Sequence, residues 1–469
     1  MSDDDNGKKK KLLTPDVENQ VKIVEVQESD MIIPFKFDGY DTVVLMFLIF
    51  FGIFNRFWLL WSPRNVVSED KIYLDYIHCY ASKHFCPTTQ PPLGVIMLRL
   101  IGQRMEYNDS YMSLKLNEEY PTTVYHSIRS ISAFFSFMSI PASYFAIRCF
   151  NIPIPYAFLG SICLMCEHSL VASSRYISDR GICHFMVAAT LMFCSFSMHF
   201  KPDSPSQYIL LIPQMVFAGL SISISWLALP IYAFTIFWTI SKSKSLKTRI
   251  YSIIIPLLIV YFSFLVSLLM GFKKNPIHSK YSSFIYKHQT DSDVIHLSGW
   301  HLVASLIMML KMGLSCLKSL IHTKILVFLS KLFYLEKWKI IWEQKERRAA
   351  CFTNRFTTIP ALVYNLLFAY ESFRKKSFNS QSLMAFLFVV SHLFYALSDT
   401  KNGPLDSFVS IITCFIAFPL SINNLMRFST GYSFCISMIV VSIVSFIDLC
   451  TLVYAYFDPA PVLPIWFAK

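Results

Sequence analysis

Two adjacent carboxylates, Glu69 and Asp70, follow directly after an apolar run, in the stretch NVVSED at 65–70. An ionised carboxylate can take a proton from an attacking hydroxyl group. Arg129 lies near the start of a later apolar run, and a guanidinium fork binds phosphate oxygens well. These residue types at span ends suit chemistry on a phosphate-linked lipid at headgroup level. The structural alternative is a solvated span boundary, with Arg129 extending its side chain to the interface.

The composition indicates that the elements around these residues are membrane spans. Of 469 residues, 54% are hydrophobic and only 15% are charged, whereas soluble domains carry about a quarter charged residues. Several apolar stretches reach the ~20 residues that cross a bilayer core. The net charge of +12 is therefore attributed to orientation in the membrane, and nucleic acid is not an expected partner.

Eleven apolar stretches are predicted to span the membrane, which makes the fold class an all-α polytopic membrane protein. The predicted spans are 42–61, 126–148, 153–172, 182–199, 207–222, 224–240, 251–271, 357–371, 381–397, 405–424 and 434–456. The run PPLGVIMLRLIG at 91–102 is too short to cross, and it predicts an interfacial helix within a first lumenal loop, 62–124. The run at 301–314 is also short enough to be interfacial; if it spans instead, every later loop changes side.

The basic residues predict the orientation of these spans. With the N-terminus inside, the short cytosolic segments contain Arg148, 241–249, 373–376 and Arg427, so positive charge collects on one side. The polar tail 1–40 then lies in the cytosol, and 272–356 lies in the lumen although it is rich in Lys and Arg. The glycosylation sequon at Asn108 falls in the first lumenal loop, which is consistent with a secretory compartment.

Two cysteine pairs and one intramembrane acid are further candidate sites. Cys163 and Cys166 form a C-x-x-C inside an apolar run, where packing is a better explanation than metal binding or redox chemistry. Cys79 and Cys86 could pair if the first loop faces an oxidising lumen. Asp448 lies inside the last predicted span, where a carboxylate is costly and is expected to pair with a polar neighbour.

Five stretches of the chain carry a resemblance to a known family. NRFWLLWSPRNVVSED, ASKHF, QPPLGVIML, EEYPTTVYHSIRSISAFFS and EHSLVASSRYISD resemble, in order and spacing, the protein O-mannosyltransferases, which are dolichyl-phosphate-mannose-dependent enzymes of the GT-C membrane fold. The similarity is clearest over about 55–200 and fainter over 219–226 and 253–269. From 300 onward only the span pattern agrees.

The resemblance implies a reaction and a setting. Mannose would move from dolichyl phosphate mannose to Ser or Thr hydroxyls of acceptor proteins in the endoplasmic reticulum lumen, with inversion at the anomeric carbon. The chain would be a multi-pass protein of the endoplasmic reticulum membrane, paired as a homo- or heterodimer with a related subunit. No metal or cofactor is expected. The alternative is a non-catalytic structural or regulatory subunit of a mannosyltransferase complex.

The resemblance also assigns the base and the phosphate ligand. The family has an Asp-Glu pair at the start of the first lumenal loop, with the Asp as base, and here the order is reversed in Glu69 and Asp70. We rank the candidate bases Asp70, Glu69 and then Asp75, which requires a compensating gap in the loop. A Glu base reaches about one methylene further, and misplacement near 1 Å can cost about 10²-fold in rate. The family's Arg at the head of the second span falls on Arg129, the expected ligand of the donor phosphate.

Supporting positions match the family unevenly. Gln90 stands where the family has a His, before the matching Pro91 and Pro92. Arg175 matches the family's Arg-Tyr-Ile motif, whereas Asp179 comes one residue early. Ser225 replaces a Lys that usually precedes the Trp of the sixth span.

The predicted organisation has four regions. They are the cytosolic tail 1–40, a catalytic transmembrane region 41–271 with spans 1–7, a lumenal loop 272–356, and spans 8–11 in 357–469. The loop is too short for the β-trefoil MIR module that family members commonly carry there, and its Lys-rich text predicts helix rather than strand.

Overall fold

The computed structural model describes residues 37–425, apart from 59, 62–63, 82–89, 105–113, 122–123, 272–300, 322, 324, 335–338, 345–346, 352, 354, 377–378 and 399–402. The helices in this part are α1 Gly39–Phe57, α2 Ser68–Ala81, α3 Leu93–Arg104, α4 Val124–Arg148, α5 Ile154–Cys166, α6 His168–Ser174, α7 Arg180–Phe196, α8 Pro205–Ile224, α9 Leu229–Lys242, α10 Leu246–Gly271, α11 His301–Ile321, α12 Ile325–Leu332, α13 Arg355–Arg374, α14 Ser380–Leu397 and α15 Phe408–Leu425. Short 3₁₀ turns cover Ser197–His199, Trp226–Ala228 and Gly403–Asp406. Two strands, β1 Lys339–Gln344 and β2 Arg347–Cys351, pair antiparallel.

Seven of the described helices are long and apolar enough to cross a bilayer, and they make this a multi-pass membrane protein. They are α1, α4, α7 with its 3₁₀ extension, α8, α10, α14 and α15. The pair α5 and α6 adds an eighth if it counts as one span, although it is bent by 52° at Glu167. The all-α polytopic fold class is therefore confirmed.

The predicted spans coincide with helices wherever the structure describes them. Ten of the eleven ranges overlap a described helix, and 434–456, with Asp448, lies outside the described residues. The helices α9 and α13 are not among the seven that meet the length and hydropathy requirement. The count of eleven spans stays a prediction.

The core is built around α4 and α15. Helix α4 packs against α1, α5 and α7, and Gly181 of α7 lies so close to Ser132 of α4 that an added Cβ would fall 2.2 Å from the Ser132 carbonyl oxygen. Of the apolar window of α15, 83% is buried, against 33% for α10. Helix α15 is therefore central, and α10 lies at the periphery with an exposed apolar face.

At the bend between α5 and α6, the main-chain carbonyl of Met165 accepts its hydrogen bonds from side chains of another helix. The Met165 oxygen accepts hydrogen bonds from Asn55 Nδ2 at 2.7 Å and from Arg56 Nη1 at 3.2 Å, both on α1. Arg56 is completely buried, and its Nε donates to Ser136 Oγ of α4 at 3.2 Å. The end of α1 thus stabilises the broken span.

The first loop contains more helix than the sequence indicated. Its second helix, α3, agrees with the predicted interfacial helix at 91–102, and its location on the membrane surface stays a prediction. Helix α2 was not predicted. It carries Glu69 and Asp70 in its first turn, where acidic side chains are favourable to the helix dipole.

The region 301–351 differs in part from the prediction. Helix α11 extends to Ile321, beyond the expected run at 301–314. Lys339–Gln344 and Arg347–Cys351, for which we expected helix, form the paired strands β1 and β2. The tail 1–36 and the sequon at Asn108 lie outside the described residues.

The described cysteines agree with one expectation and leave the other open. Cys79 is disulfide-bonded, and because Cys86 lies outside the described residues, their pairing stays a prediction. Cys163 and Cys166 are buried in the core, and neither forms a disulfide.

Candidate active site

The two adjacent carboxylates of α2 point in different directions. Consecutive residues of an α-helix are rotated by about 100° around its axis, so Glu69 and Asp70 reach different surroundings. Both are buried, with exposures of 2% for Glu69 and 0% for Asp70. Glu69 lines the cavity described below, and Asp70 is not among the described residues that line it.

Asp70 and Arg129 form a closed ion pair, which we call the sealed pair. Arg129 Nη2 lies 2.5 Å from Asp70 Oδ2, and both side chains are 0% exposed. Tyr120 donates its hydroxyl to the same Asp70 oxygen at 2.8 Å, and the Ile177 amide donates to Asp70 Oδ1 at 2.6 Å. Three donors therefore satisfy the carboxylate without any solvent.

Aromatic rings cover the guanidinium of the sealed pair. The Arg129 Cζ lies 4.8 Å from the ring centroid of Tyr125, 5.5 Å from that of Tyr120 and 5.9 Å from that of Tyr176. Tyr120 and Tyr125 stack on each other with centroids 4.2 Å apart. These contacts are favourable to a desolvated cation.

A short backbone pairing brings Tyr120 to Asp70. The Val66 amide donates to Glu118 O at 2.8 Å, and the Tyr120 amide donates to Arg64 O at 3.1 Å. Burial, followed by the neighbouring Asp70 carboxylate, raises the pKa of Tyr120 well above its usual value. The phenol therefore stays protonated and donates to Asp70.

A cavity of about 100 Å³ lies beside the sealed pair, between the first loop and the ends of α7, α8 and α15. It contains three carboxylates and one guanidinium among its described lining residues. The lining residues are Glu69, Ile72, Tyr73, Tyr76, Gln90, Pro91, Val95, Asp179, Arg180, Cys183, Ile224, Ser225, Asp406 and Phe408.

Arg180 pairs with Glu69 of the first loop and with Asp406, which lies just before α15. Its Nη1 lies 2.7 Å from Glu69 Oε2, and its Nη2 lies 3.1 Å from Asp406 Oδ1. Its Nε also donates to Asp406 Oδ1, at 3.2 Å. We call these three residues the cavity triad.

Asp179 occupies a second wall of the cavity. Tyr73 donates its hydroxyl to Asp179 Oδ1 at 2.5 Å. A Cβ added to Gly94, in the first turn of α3, would lie only 2.3 Å from Asp179 Cβ. Because burial removes water from this carboxylate, it raises the pKa of Asp179 to about 6.

Two positions that depart from the family resemblance contact each other. Gln90 Oε1 accepts from the Trp226 amide at 3.1 Å and from Ser225 Oγ at 3.3 Å. Gln90 and Ser225 therefore join the first loop to the end of α8 at the cavity edge.

The structure divides the candidate residues into those at the cavity and those away from it. Glu69, Gln90, Pro91 and Asp179 line the cavity. Asp70 and Arg129 do not, so the geometry favours Glu69 over Asp70, which the sequence ranked first. The Pro92 carbonyl accepts from the Ile96 amide in the first turn of α3.

Two other candidates have structural contacts elsewhere. Arg175 donates to the Trp58 carbonyl at 2.7 Å, at the C-terminal end of α1. Asp75 pairs with Lys71, one turn earlier on α2, at 2.6 Å and is 24% exposed.

Sequence reasoning missed Arg180 and Asp406. Arg180 had a usable signal, because an Arg in the first turn of an apolar helix opposes the helix dipole and calls for acidic partners. Asp406 had none, since it lies 226 residues from Arg180.

The arrangement can perform proton transfer beside an apolar interior. Glu69 is an acceptor held by a cation in a small cavity, which is the geometry of a general base for a hydroxyl. Among the described residues, no cluster of three or more His, Cys, Asp or Glu side chains is arranged to hold a metal ion.

Comparison with known sequences gives a family match that includes Glu69 and Arg180 but ends before Asp406. Residues 46–279 match the family model described as dolichyl-phosphate-mannose-protein mannosyltransferase. A similar curated protein is dolichyl-phosphate-mannose–protein mannosyltransferase 3 of Saccharomyces cerevisiae, 24% identical over 45% of this chain and 29% of the relative. Protein O-mannosyl-transferase 1 of Mus musculus is 24% identical over 39% of this chain and 25% of the relative. The matched regions thus span under a third of these relatives.

Two solved structures are also similar. One is the S. cerevisiae protein O-mannosyltransferase Pmt1-Pmt2 complex bound to the sugar donor, with a TM-score of 0.45, 18% identity, and coverage of 53% of this chain and 35% of that chain. The other is the archaeal oligosaccharyltransferase AglB from Archaeoglobus fulgidus, with a TM-score of 0.48, 12% identity, and coverage of 90% and 56%.

Proposed function

Because residues 46–279 of this chain belong to the dolichyl-phosphate-mannose-protein mannosyltransferase family, whose membrane fold is GT-C-like, we propose that the protein transfers mannose from dolichyl phosphate mannose to Ser or Thr hydroxyls of proteins. The observation that carries this proposal is the ionisable carboxylate of Glu69 in the wall of a cavity, at the position where the family keeps its base.

Glu69 is the base in this proposal. The acceptor hydroxyl attacks the anomeric carbon of mannose, the bond from that carbon to the phosphate oxygen breaks, and dolichyl phosphate leaves. The hydroxyl proton passes to Glu69, and attack from the face opposite the phosphate inverts the anomeric centre. Asp70 keeps Arg129 buried and thereby holds the first turn of α2 against α4.

The setting proposed for this reaction is the endoplasmic reticulum membrane. The disulfide at Cys79 in the first loop supports an oxidising compartment for that side of the protein. A related subunit, as a homo- or heterodimer partner, and secretory acceptor proteins are the proposed partners.

A second candidate function is a non-catalytic structural or regulatory subunit of a mannosyltransferase complex. One observation favours it: Asp70 and Arg129, the residues expected to meet acceptor and donor, are both sealed from the cavity.

A transfer assay tests the proposal and separates these candidates. Membranes containing the protein, with a related subunit co-expressed, are given dolichyl phosphate mannose and a Ser/Thr-rich peptide. Loss of a general base is expected to lower the rate by about 10²–10⁴-fold in Glu69→Gln. The matched control is Glu371→Gln, an exposed carboxylate in an i,i+4 pair with Lys375 far along the chain, and its rate should equal that of wild type.

Other outcomes would change the conclusion. If Asp75→Asn or Asp70→Asn abolishes transfer in folded protein while Glu69→Gln retains it, the assigned base is wrong. If Glu69→Gln, Asp70→Asn and Asp75→Asn all leave the rate of the complex unchanged, or if no mannose is transferred, this chain is the non-catalytic subunit and the proposed activity is wrong.

A further inference from the structure

The position of Arg180 is unfavourable for its own helix, but its side chain pairs with two carboxylates at the cavity. It is the first residue of α7, where a positive side chain faces the positive end of the helix dipole. It is also buried, at 6% exposure, so its charge depends on the two carboxylates that reach it from other elements.

We propose that Arg180 is a positioning residue that holds the Glu69 carboxylate in the cavity, with Asp406 competing for its charge. This inference rests on the proposed function, because Glu69 is the base in that reaction. Asp406 and the 3₁₀ turn Gly403–Asp406 lie outside the matched range 46–279, so the C-terminal half contributes to the same site.

Glu69 and Asp406 bind different edges of the Arg180 guanidinium group and thus share its charge. The single nitrogen Nη1 faces Glu69 at 2.7 Å, and the Nε–Nη2 edge faces Asp406 at 3.2 Å and 3.1 Å. A guanidinium is planar and rigid, so fixing the Asp406 edge fixes the direction of Nη1. Asp406 therefore orients the donor that holds Glu69.

The sealed pair cannot take over this role. Arg129 is enclosed by Asp70 and three tyrosine rings, and it does not line the cavity. The titratable or charged residues that share the cavity with Glu69 are Tyr73, Tyr76, Asp179, Arg180, Cys183 and Asp406.

The competition predicts opposite effects for two substitutions. Arg180→Gln removes the cation beside Glu69, so the carboxylate takes up a proton more readily and the acidic limb of the pH–rate profile moves up by about one unit. Asp406→Asn removes the competing carboxylate and leaves the Arg180 charge to Glu69, so the acidic limb moves down. General structural damage would not produce shifts of opposite sign.

The experiment measures kcat, KM for the peptide and the pH of half-maximal kcat in the transfer assay. Wild type is compared with Arg180→Gln, Arg180→Lys and Asp406→Asn. We expect Arg180→Gln to lower kcat by about 10²-fold with little change in KM, and Arg180→Lys to restore part of that loss because it keeps the charge. If Arg180→Gln does not fold, Asp406→Asn still gives the downward shift of the acidic limb, and Arg180→Lys, which keeps the charge beside Glu69, should leave the limb near its wild-type position.

The matched control is Arg148→Gln, which breaks another arginine–carboxylate pair. Arg148 lies at the opposite end of α4 from Arg129 and pairs with Asp41 at 2.5 Å. This variant should lose stability without moving the acidic limb. If the acidic limb stays fixed in Arg180→Gln and in Asp406→Asn, or moves equally in Arg148→Gln, the inference is overturned.

The same data separate the inference from the proposed function. If wild type transfers mannose and the acidic limb has the same position in Arg180→Gln and Asp406→Asn as in wild type, only the inference fails. If wild type transfers none, the proposed function fails and the inference with it. A double-mutant cycle on thermal stability with Glu69→Gln and Arg180→Gln would then show whether the ion pair persists as a structural contact.

Discussion

The sealed pair and the cavity triad begin at neighbouring residues and have opposite surroundings. Asp70 meets one arginine, one tyrosine hydroxyl and one backbone amide, all shielded from solvent. Glu69 meets an arginine that is shared with a second carboxylate, at the wall of a cavity. The pairing of Asp70 is thus complete, whereas that of Glu69 is divided.

This difference shows that helix phase assigns the roles of the two acids. In the sequence, Glu69 and Asp70 are adjacent carboxylates at nearly the same distance from the end of the first span, so their position alone does not distinguish their roles. The rotation of about 100° between them turns one toward α4 and the other toward the ends of α7 and α15. The completely satisfied Asp70 carboxylate suits a stabilising role, and exchange with substrate is the role that we propose for the shared pair.

The largest effect is expected from breaking the sealed pair. Asp70→Asn or Arg129→Ala leaves an uncompensated charge in the interior and should lower the stability by about 3–5 kcal/mol. Thermal unfolding of the purified protein in detergent measures the loss. Glu69→Gln is the matched comparison and should cost much less, because Arg180 keeps Asp406 as a partner. Equal losses in the two carboxylate variants would contradict the distinction.

A smaller effect is expected from removing one tyrosine hydroxyl on each side. Tyr120→Phe deletes a hydrogen bond to the sealed Asp70 carboxylate and should cost about 1.5–3 kcal/mol, as for bonds to charged groups. Tyr73→Phe deletes the comparable bond to Asp179, but at the cavity water can replace the donor. We therefore expect Tyr73→Phe to unfold at the higher temperature of the two, and the reverse order would argue against a closed Asp70 site.

Gly94→Ala is expected to act on the cavity alone. The new methyl group would overlap Asp179, and overpacking of this kind costs about 1–3 kcal/mol. Because α3 must shift away, the cavity wall moves while the sealed pair stays intact. Transfer should fall at least as steeply as stability, measured on the same preparation. The control Gly39→Ala adds a Cβ that meets nothing within 4 Å and should change neither.

The smallest effect is a pH dependence from Asp179. Its pKa of about 6 in the folded protein exceeds the usual value of about 3.9, so the folded state binds more protons between these values. The stability that this group contributes is complete below about pH 4 and is lost as the pH rises through 6. Asp179→Asn can keep the bond from Tyr73 and should remove this loss.

The Asp179 prediction is checked by melting wild type and Asp179→Asn at pH 5 and pH 7. We expect the midpoint of Asp179→Asn relative to wild type to rise by about 2 °C between the two pH values. A difference that stays constant with pH would show that Asp179 is ionised in the folded protein over the whole range.

The membrane fold was predictable because each span must be apolar over about 20 residues. The same rule explains the misses. Helix α2, SEDKIYLDYIHCYA, is half-buried against other elements of the site and carries no long apolar run. The hairpin 339–351 is rich in Lys, Glu and Arg, residues that favour helix on their own, and pairing between the strands overrides that preference.

The site was predictable only to the level of the segment. The pair at 69–70 was recognised, but its helix phase depends on α2, which hydropathy did not reveal. Arg180 and Asp406 meet through tertiary packing across 226 residues of chain. The contact between Gln90 and Ser225 likewise becomes visible only when α8 and the first loop are in place.

The broken span α5–α6 has a consequence for how the protein is made. The Met165 carbonyl at the break needs donors, because an unsatisfied backbone group in lipid costs several kcal/mol. Those donors, Asn55 and Arg56, belong to α1, which leaves the ribosome about a hundred residues earlier. If the spans enter the membrane in chain order, α1 is already in place to donate to the Met165 carbonyl when α5 arrives. In an Asn55→Leu, Arg56→Leu chain, the Met165 carbonyl would enter the membrane without these two donors, before the cavity had formed.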